Sequence, residues 1–223
     1  MKLPSRIALP LASLLLLAAC DTSPGPTGGS AGGTPPASPT LGASTSPAAS
    51  PTLVVSASSA AFDKALHDEL IAMLERDQAD REGTPQAESD QARTARLKEI
   101  IRTRGWPTFA LVGEDGGNAA WAIAQHSDLD PAFQQEALEL LRAAVAARQA
   151  SPGNLAYLQD RVAAAKGEPQ VYGTQIRCGP DGPVPATPIR DEADVERRRA
   201  EAGLPSLASY RAEMTTICAQ DAN

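Results

Sequence analysis

The residues best suited to chemistry lie around His126, one of two histidines in the chain. His126, Asp128 and Asp130 follow one another at a spacing of two, and imidazole and carboxylate groups carry protons and bind metals well. One hypothesis from this pattern is a hydrolase-type centre in which His126 is the general base and Asp77 or Asp128 orients it. The alternative interpretation is structural, because Asp130 precedes a proline as a helix N-cap and His126 can bond the last carbonyls of its own helix.

An acid and a base end the apolar stripe of the first predicted helix. The stripe starts at Phe62, runs through Met73 and continues on the same face to Asp77 and Arg81. One interpretation is a surface ion pair at a helix end beyond the core, which contributes little stability. The other is a buried polar cluster, in which Asp77 is a second candidate to orient His126 and Arg81 is a candidate ligand contact.

A short segment near residue 173 suits a neutral polar ligand. Gly173 permits close backbone approach, and Tyr172 and Gln175 offer neutral hydrogen-bonding groups for a sugar or peptide. The alternative is a strand whose glycine marks a bulge. Arg161 can clamp a carboxylate or brace a neighbouring loop.

Several segments together resemble a family of bacterial proteins known only as a domain of unknown function. The resemblance spans residues 65–212, and its motifs are Gly105-Trp106-Pro107, Ala120-Trp121 with Gln125-His126 and Asp128, the YLQDRV segment at 157–162, Pro169-Gln170 with the YGTQ segment at 172–175, and Pro188-Ile189. The family brings no established activity, but the resemblance implies that the polar motif residues form a site. The candidate ligand-binding residues are therefore Arg81, Trp106, Trp121, Gln125, Arg161, Tyr172 and Gln175.

Other chemistries lack their motifs in this sequence. It contains no Gly-x-Ser-x-Gly elbow, phosphate loop or dinucleotide fingerprint. It has no paired histidines and no pair of cysteines at zinc-ligand spacing. We therefore expect neither a metal nor another cofactor.

The start of the chain has the layout of a bacterial lipoprotein signal. Lys2 and Arg6 precede an apolar run over residues 7–19, which is too short for the roughly 20 residues of a spanning helix. The small residues before Cys20 resemble a lipobox, whose cysteine is lipidated, for example with palmitate. The sequence predicts a signal peptide over 1–19 and a protein anchored by Cys20 on the periplasmic face of a bacterial inner or outer membrane.

A disordered tether is predicted between this anchor and the folded part. Residues 20–61 are dominated by Pro, Gly, Ser, Thr and Ala, which bury too little apolar surface to offset the entropy of ordering. Removing residues 1–19 takes away Lys2 and Arg6 and leaves 18 basic and 27 acidic residues. This acidic balance argues against nucleic acid as a partner.

The two remaining cysteines, Cys178 and Cys218, suggest one disulfide in an oxidising compartment. The chain-entropy model credits closure of such a loop with roughly 4 kcal/mol. The alternative is a pair of unlinked buried thiols.

The apolar periodicity from residue 62 onward predicts a mainly α fold, a single domain over 62–223 of about six helices with a small β-hairpin. Expected helices cover residues 59–81, 91–104, 118–125, 131–149, 152–167, 191–203 and the region from 207, with a glycine-rich turn at 113–117 and hairpin strands at 170–178 and 184–189.

The leading functional hypothesis is a lipid-anchored extracytoplasmic module that binds a small polar ligand or an envelope protein. The hydrolase hypothesis requires His126, Asp77, Gln125 and Gln175 to meet in one cleft. A third hypothesis is a structural envelope protein in which these residues only brace the fold.

Overall fold

The computed structural model describes residues 61–221, which form seven α-helices and one β-hairpin. The helices are α1 (Lys64–Arg81), α2 (Asp90–Arg104), α3 (Phe109–Gln125), α4 (Pro131–Ala146), α5 (Pro152–Ala165), α6 (Val195–Glu201) and α7 (Leu207–Asp221). The predicted mainly α class with a small hairpin is confirmed, with seven helices instead of about six. The predicted signal peptide, the lipidation site Cys20 and the tether to residue 60 lie outside the described residues.

Short polar side chains fix where several helices begin. Asp130 accepts a hydrogen bond from the Phe133 amide, and Ser151 accepts one from the Asn154 amide, each directly before a proline. These two predicted N-caps are confirmed. The expectation that Phe62 belongs to the inward face of α1 is wrong, because Asp63 caps the helix at Lys64 and Phe62 is 54% exposed.

The glycine-rich turn predicted at residues 113–117 is instead part of α3. Only Gly113 leaves helical geometry, with φ of 75°, and it kinks the helix. A Cβ atom on Gly116 would come within 2.9 Å of Val112, and one on Gly117 within 3.0 Å of the Phe109 ring. The glycines therefore serve close packing, and the helix starts at Phe109 and not at residue 118.

Helix α3 lies against α1, α2, α4 and α5. The main hydrophobic cluster is formed by α1 to α5, with Leu70, Leu97, Val112, Ile123, Phe133, Leu141 and Leu158 among its members. Helices α3 and α5 lie side by side and contact each other through two pairs of side chains. The Asn154 side chain donates to Asn118 at 2.6 Å, and the Tyr157 ring meets the edge of Trp121 at 6.0 Å between centroids.

The C-terminal part has its own small cluster of Ile176, Tyr210 and Met214. Here β1 (Ile176–Gly179) pairs antiparallel with β2 (Gly182–Pro185). The strands are shorter than predicted, and beyond them Gln170 and Ile189 form an isolated parallel bridge. The predicted disulfide is confirmed, since Cys178 on β1 is bonded to Cys218 on α7.

The predicted helix cap at Asp191 is wrong. Asp191 has a left-handed backbone with φ of 41°, makes no capping hydrogen bond and leads into a short 3-10 turn over residues 192–194. Helix α6 follows this turn and starts at Val195.

Within residues 61–221, no helix is long and apolar enough to cross a membrane. The same residues hold no group of three or more His, Cys, Asp and Glu side chains that could bind a metal ion.

Candidate functional site

The end of α3 forms one wall of a cleft of about 200 Å³, and His126 lies in this wall. The opposite wall is one face of α2. Because residues four apart on a helix share a face, α2 presents side chains to the cleft over two turns. The lining residues are Asp90, Gln91, Thr94, Ala95 and Lys98 from α2, and His126, Ser127, Leu129 and Asp130 from the other wall. Lys98 and Asp130 pair at 2.7 Å and join the two walls.

Behind the cleft, the His126 ring contacts Asp77 on α1. The Nδ1 atom of His126 lies 2.7 Å from Oδ2 of Asp77. Both side chains are withdrawn from solvent, at 6% and 1% exposure. Of the two interpretations of the acid and base that end the α1 stripe, the structure shows the buried polar cluster.

Arg81 completes this cluster and determines how the His126 proton is placed. Its Nε atom lies 2.9 Å from Nδ1 of His126 and 3.2 Å from Oδ2 of Asp77. If Nδ1 accepted the Arg81 proton, its lone pair would face a carboxylate oxygen at 2.7 Å. If Nδ1 instead carries the proton and donates it to Asp77, the Arg81 Nε–H still has an acceptor in Oδ2. We therefore assign the proton to Nδ1, which leaves Nε2 as an acceptor.

The Nε2 atom of His126 is not used in the Asp77 contact. No residue of the described chain makes a hydrogen bond to this atom, while the ring itself lines the cavity. Burial lowers the pKa of His126, and the positive charges of Arg81 and Arg161 lower it further against the opposing effect of Asp77. The imidazole is therefore neutral at neutral pH and can accept a hydrogen bond or a proton.

Asp77 remains ionised in spite of its burial. Desolvation raises the pKa of this carboxyl, but the hydrogen bonds from His126 and Arg81 and the positive charge of Arg81 outweigh it, and the pKa is lowered. Arg81 donates Nη2 to Oδ1 of Asp77 at 2.9 Å, and Gln78 donates to Oδ2 at 2.7 Å. The carboxylate thus anchors the Nδ1–H of His126.

Ser127 follows His126 in the cleft wall but is not placed as a nucleophile. Its hydroxyl donates to the carbonyl of Ile123 at 2.8 Å, so its proton is not directed to His126. The Thr94 hydroxyl lies 2.8 Å from the Ser127 oxygen and acts as donor in this pair. Any reaction at His126 would therefore use a water or a group of the ligand.

Asp128 lies apart from the His126 ring and belongs to a neighbouring set of contacts. Arg161 binds both carboxylate oxygens of Asp128, with Nε at 2.9 Å from Oδ1, and it donates Nη1 to Gln175 at 3.1 Å. Gln134 donates to the same carboxylate at 3.1 Å. Of the two acids expected to orient His126, the structure therefore places Asp77 and not Asp128 on the ring.

The segment at 172–175 precedes β1 and wraps around the buried carboxylate of Asp160. The amides of Val171, Tyr172 and Thr174 and the Thr174 hydroxyl all donate to Asp160, at 2.7–3.2 Å. The close approach expected at Gly173 is made to another part of the protein, since a Cβ there would come within 2.6 Å of Ile189. Tyr172 and Gln175 are thus held by the fold away from the cleft.

Of three other candidate residues, Trp106 and Gln125 are buried and Trp121 is partly buried. The indole Nε1–H of each tryptophan and both polar atoms of the Gln125 amide are buried and have no hydrogen-bond partner among the residues that the structure describes. None of the three lines the His126 cleft. The hydrolase hypothesis required four residues to meet in one cleft. His126 and Asp77 are in contact, while Gln125 and Gln175 lie outside the cleft.

The α2 residues of this site were not predicted from the sequence. Arg93 is 1% exposed, binds Asp80 at 2.9 Å and Asp90 at 2.6 Å, and braces α2 against α1. The cleft face of α2 carries Asp90, Thr94 and Lys98 at four-residue steps, beside the apolar stripe of Leu97 and Ile101. This polar face is the one feature of the sequence that could have indicated the α2 wall of the cleft. It does not reveal which helix lies opposite.

Comparison with known proteins gives one match. Residues 64–217 match the model of DUF6624, a family of unknown function. This range agrees with the family resemblance found over residues 65–212. No curated protein and no solved structure matches the chain.

Proposed function

Because this chain belongs to the DUF6624 family, whose function is unknown, we propose its function from the cleft geometry. The domain binds a small polar ligand between α2 and the end of α3, with Nε2 of His126 as a hydrogen-bond acceptor. The domain is carried outside the cytoplasm on a lipid attached to Cys20.

One observation carries the binding site. His126 is buried and fixed by Asp77 through Nδ1, its ring lines the cavity, and Nε2 has no hydrogen-bond partner among residues 61–221. The cavity walls offer the amide of Gln91, the hydroxyl of Thr94 and the ammonium of Lys98. Such a mixture of donors and acceptors suits a neutral hydroxyl- or amide-bearing molecule.

Replacing His126 with asparagine is expected to weaken ligand binding two- to tenfold, the effect of one hydrogen bond of about 0.5–1.5 kcal/mol. The asparagine amide can still donate to Asp77 but cannot offer Nε2 to the cleft. Amide NMR shifts of Gln91, Thr94 and Ser127 would be followed during titration with glucose, N-acetylglucosamine and dialanine.

His67→Asn is the matched control, because His67 lies between Asp68 and Asp115, away from the cleft residues. Its affinity for the probe should equal that of the wild type. The proposal fails if no probe shifts the cleft amides, or if His126→Asn binds as tightly as the control.

A hydrolase is the second candidate, favoured by the Asp77–His126 contact. An ionised acid on Nδ1 and a free Nε2 are the arrangement of a general base. Nε2 would take a proton from water while the water oxygen attacks an electrophilic carbonyl or phosphorus atom. The bond from that atom to the leaving group then breaks, and the leaving group receives the proton from Nε2. General-base catalysis contributes about 10²–10⁴-fold to rates, so His126→Asn should reduce hydrolysis by that factor.

This candidate is tested with p-nitrophenyl acetate, bis-p-nitrophenyl phosphate and p-nitrophenyl glycosides. Loss of hydrolysis in His126→Asn but not in His67→Asn supports it. Binding of a probe with no hydrolysis leaves the domain a binding module. A folded protein that neither binds nor hydrolyses would favour the structural role.

A further inference from the structure

Arg81 makes an unusual contact with His126 for two groups that can both be positively charged. Its guanidinium is held by both oxygens of Asp77 and by Asp90, whose Oδ1 lies 3.1 Å from Nη2. This leaves Nε of Arg81 only 2.9 Å from Nδ1 of His126. The guanidinium is thus fixed in place by two acids while its edge lies against the imidazole.

This contact distinguishes the two protonation states of the ring. With a neutral ring, Asp77 Oδ2 lies within reach of both N–H groups and satisfies them. A second proton, on Nε2, would create an imidazolium directly against a guanidinium that cannot lose its own charge. Arg81 therefore opposes protonation of Nε2.

We propose that Arg81 is a positioning residue for His126: its guanidinium, fixed by Asp77 and Asp90, holds the imidazole in the neutral form that offers Nε2 to the cleft as an acceptor. This rests on the proposed role of Nε2 in ligand binding. It also gives Arg81 a role behind the ring instead of the direct ligand contact expected from the sequence.

The other charged groups around the ring do not oppose protonation of Nε2 by direct contact, as Arg81 does. The charged groups near His126 are Asp77 and Arg81 on α1, Asp90, Arg93 and Lys98 on α2, Asp128 and Asp130 after α3, and Arg161 on α5; Arg93 lies 3.8 Å from Oδ1 of Asp77. Arg161 also lowers the pKa of His126, but it is bonded to Asp128 and does not contact the ring, while Lys98 is paired with Asp130 and Arg93 with Asp80 and Asp90. Among these cations, Arg81 alone touches the ring within the described chain.

The experiment is an NMR titration of the His126 ring nitrogens in the chain from residue 20, with Cys20→Ser so that no lipid is attached. Arg81→Gln removes the positive charge but keeps an amide that can donate to Asp77. Its His126 should titrate at higher pH than in the wild type, with the proton of the neutral ring still on Nδ1. Arg81→Lys keeps a charge but loses the Nε contact, so its midpoint should lie between the two.

Arg76→Gln is the matched control, because Arg76 lies on the same helix and pairs with Glu88 instead of the cluster. Its His126 should titrate as in the wild type. A midpoint in Arg81→Gln that is unchanged or lower overturns the proposal. If that variant does not fold, Arg81→Lys decides: a midpoint above that of the wild type supports the proposal, and an equal midpoint overturns it.

The titration is read on the protein without ligand. Its failure would remove the role of Arg81 and leave the proposed binding site untouched. Failure of the probe titration with a normal Arg81 effect would instead remove the binding site and leave the positioning contact as a property of the fold.

Discussion

Replacement of Asp160 with alanine is expected to lower the free energy of unfolding by about 3–5 kcal/mol, because it strands several buried donors at once. Asp160 is fully buried on α5 and accepts from the amides of Val171, Tyr172 and Thr174 and from the Thr174 hydroxyl. An unsatisfied buried donor costs about 1–3 kcal/mol, and the individual costs are not additive. Urea unfolding followed by circular dichroism measures the difference.

Two variants sharpen this test. Asp160→Asn keeps one acceptor oxygen but turns an NH2 group toward the same donors, so its loss should be smaller than that of the alanine variant. Asp68→Ala removes an exposed acid from α1 and should stay within about 0.5 kcal/mol of the wild type. A loss below about 1 kcal/mol in Asp160→Ala would show that water or a shifted backbone satisfies the stranded donors.

Removing the disulfide is the second large effect that we expect. Cys178 and Cys218 are separated by 40 residues, and the chain-entropy model assigns roughly 4 kcal/mol to closing a loop of that length. The variant Cys178→Ser with Cys218→Ser should therefore unfold at clearly lower urea concentration than the oxidised wild type. A reductant should shift the wild type toward the variant.

The double variant treated with the same reductant is the control, because it has no bond left to reduce and should not change. Mass mapping under non-reducing conditions checks the linkage in the purified protein. Two freely alkylated cysteines, or a reductant that leaves the wild-type midpoint unchanged, would contradict this prediction.

The sequence was sufficient to predict elements whose signals are local. Asp130 before Pro131 and Ser151 before Pro152 mark helix starts by their own chemistry, and both predictions are confirmed. The glycines of α3 were misread because their reason is not local. Gly116 and Gly117 are small so that Val112 and Phe109 can come close, and packing overrides the low helix propensity of glycine.

In the candidate site too, features with a local sequence signal were predicted and features that depend on packing were not. The apolar stripe of α1 pointed toward Asp77 and Arg81, and the structure shows Asp77 buried against His126. Asp160 was not recognised as the centre of a hydrogen-bond set, because its partners lie 11–14 residues later in irregular backbone. Predicting the α2 wall with Gln91 and Lys98 would have required knowing how the helices pack, which the periodicity of the sequence does not show.

The presence of two hydrophobic clusters has a consequence for how the folded protein opens. One cluster belongs to α1–α5 and the other to β1 and α7, and the two meet where Asp160 holds residues 171–174. Native-state hydrogen exchange should then resolve two cooperative units of different stability. Reduction of the disulfide would therefore increase local unfolding of the smaller unit. Asp77 and His126 both belong to the larger unit, so the cleft would stay folded.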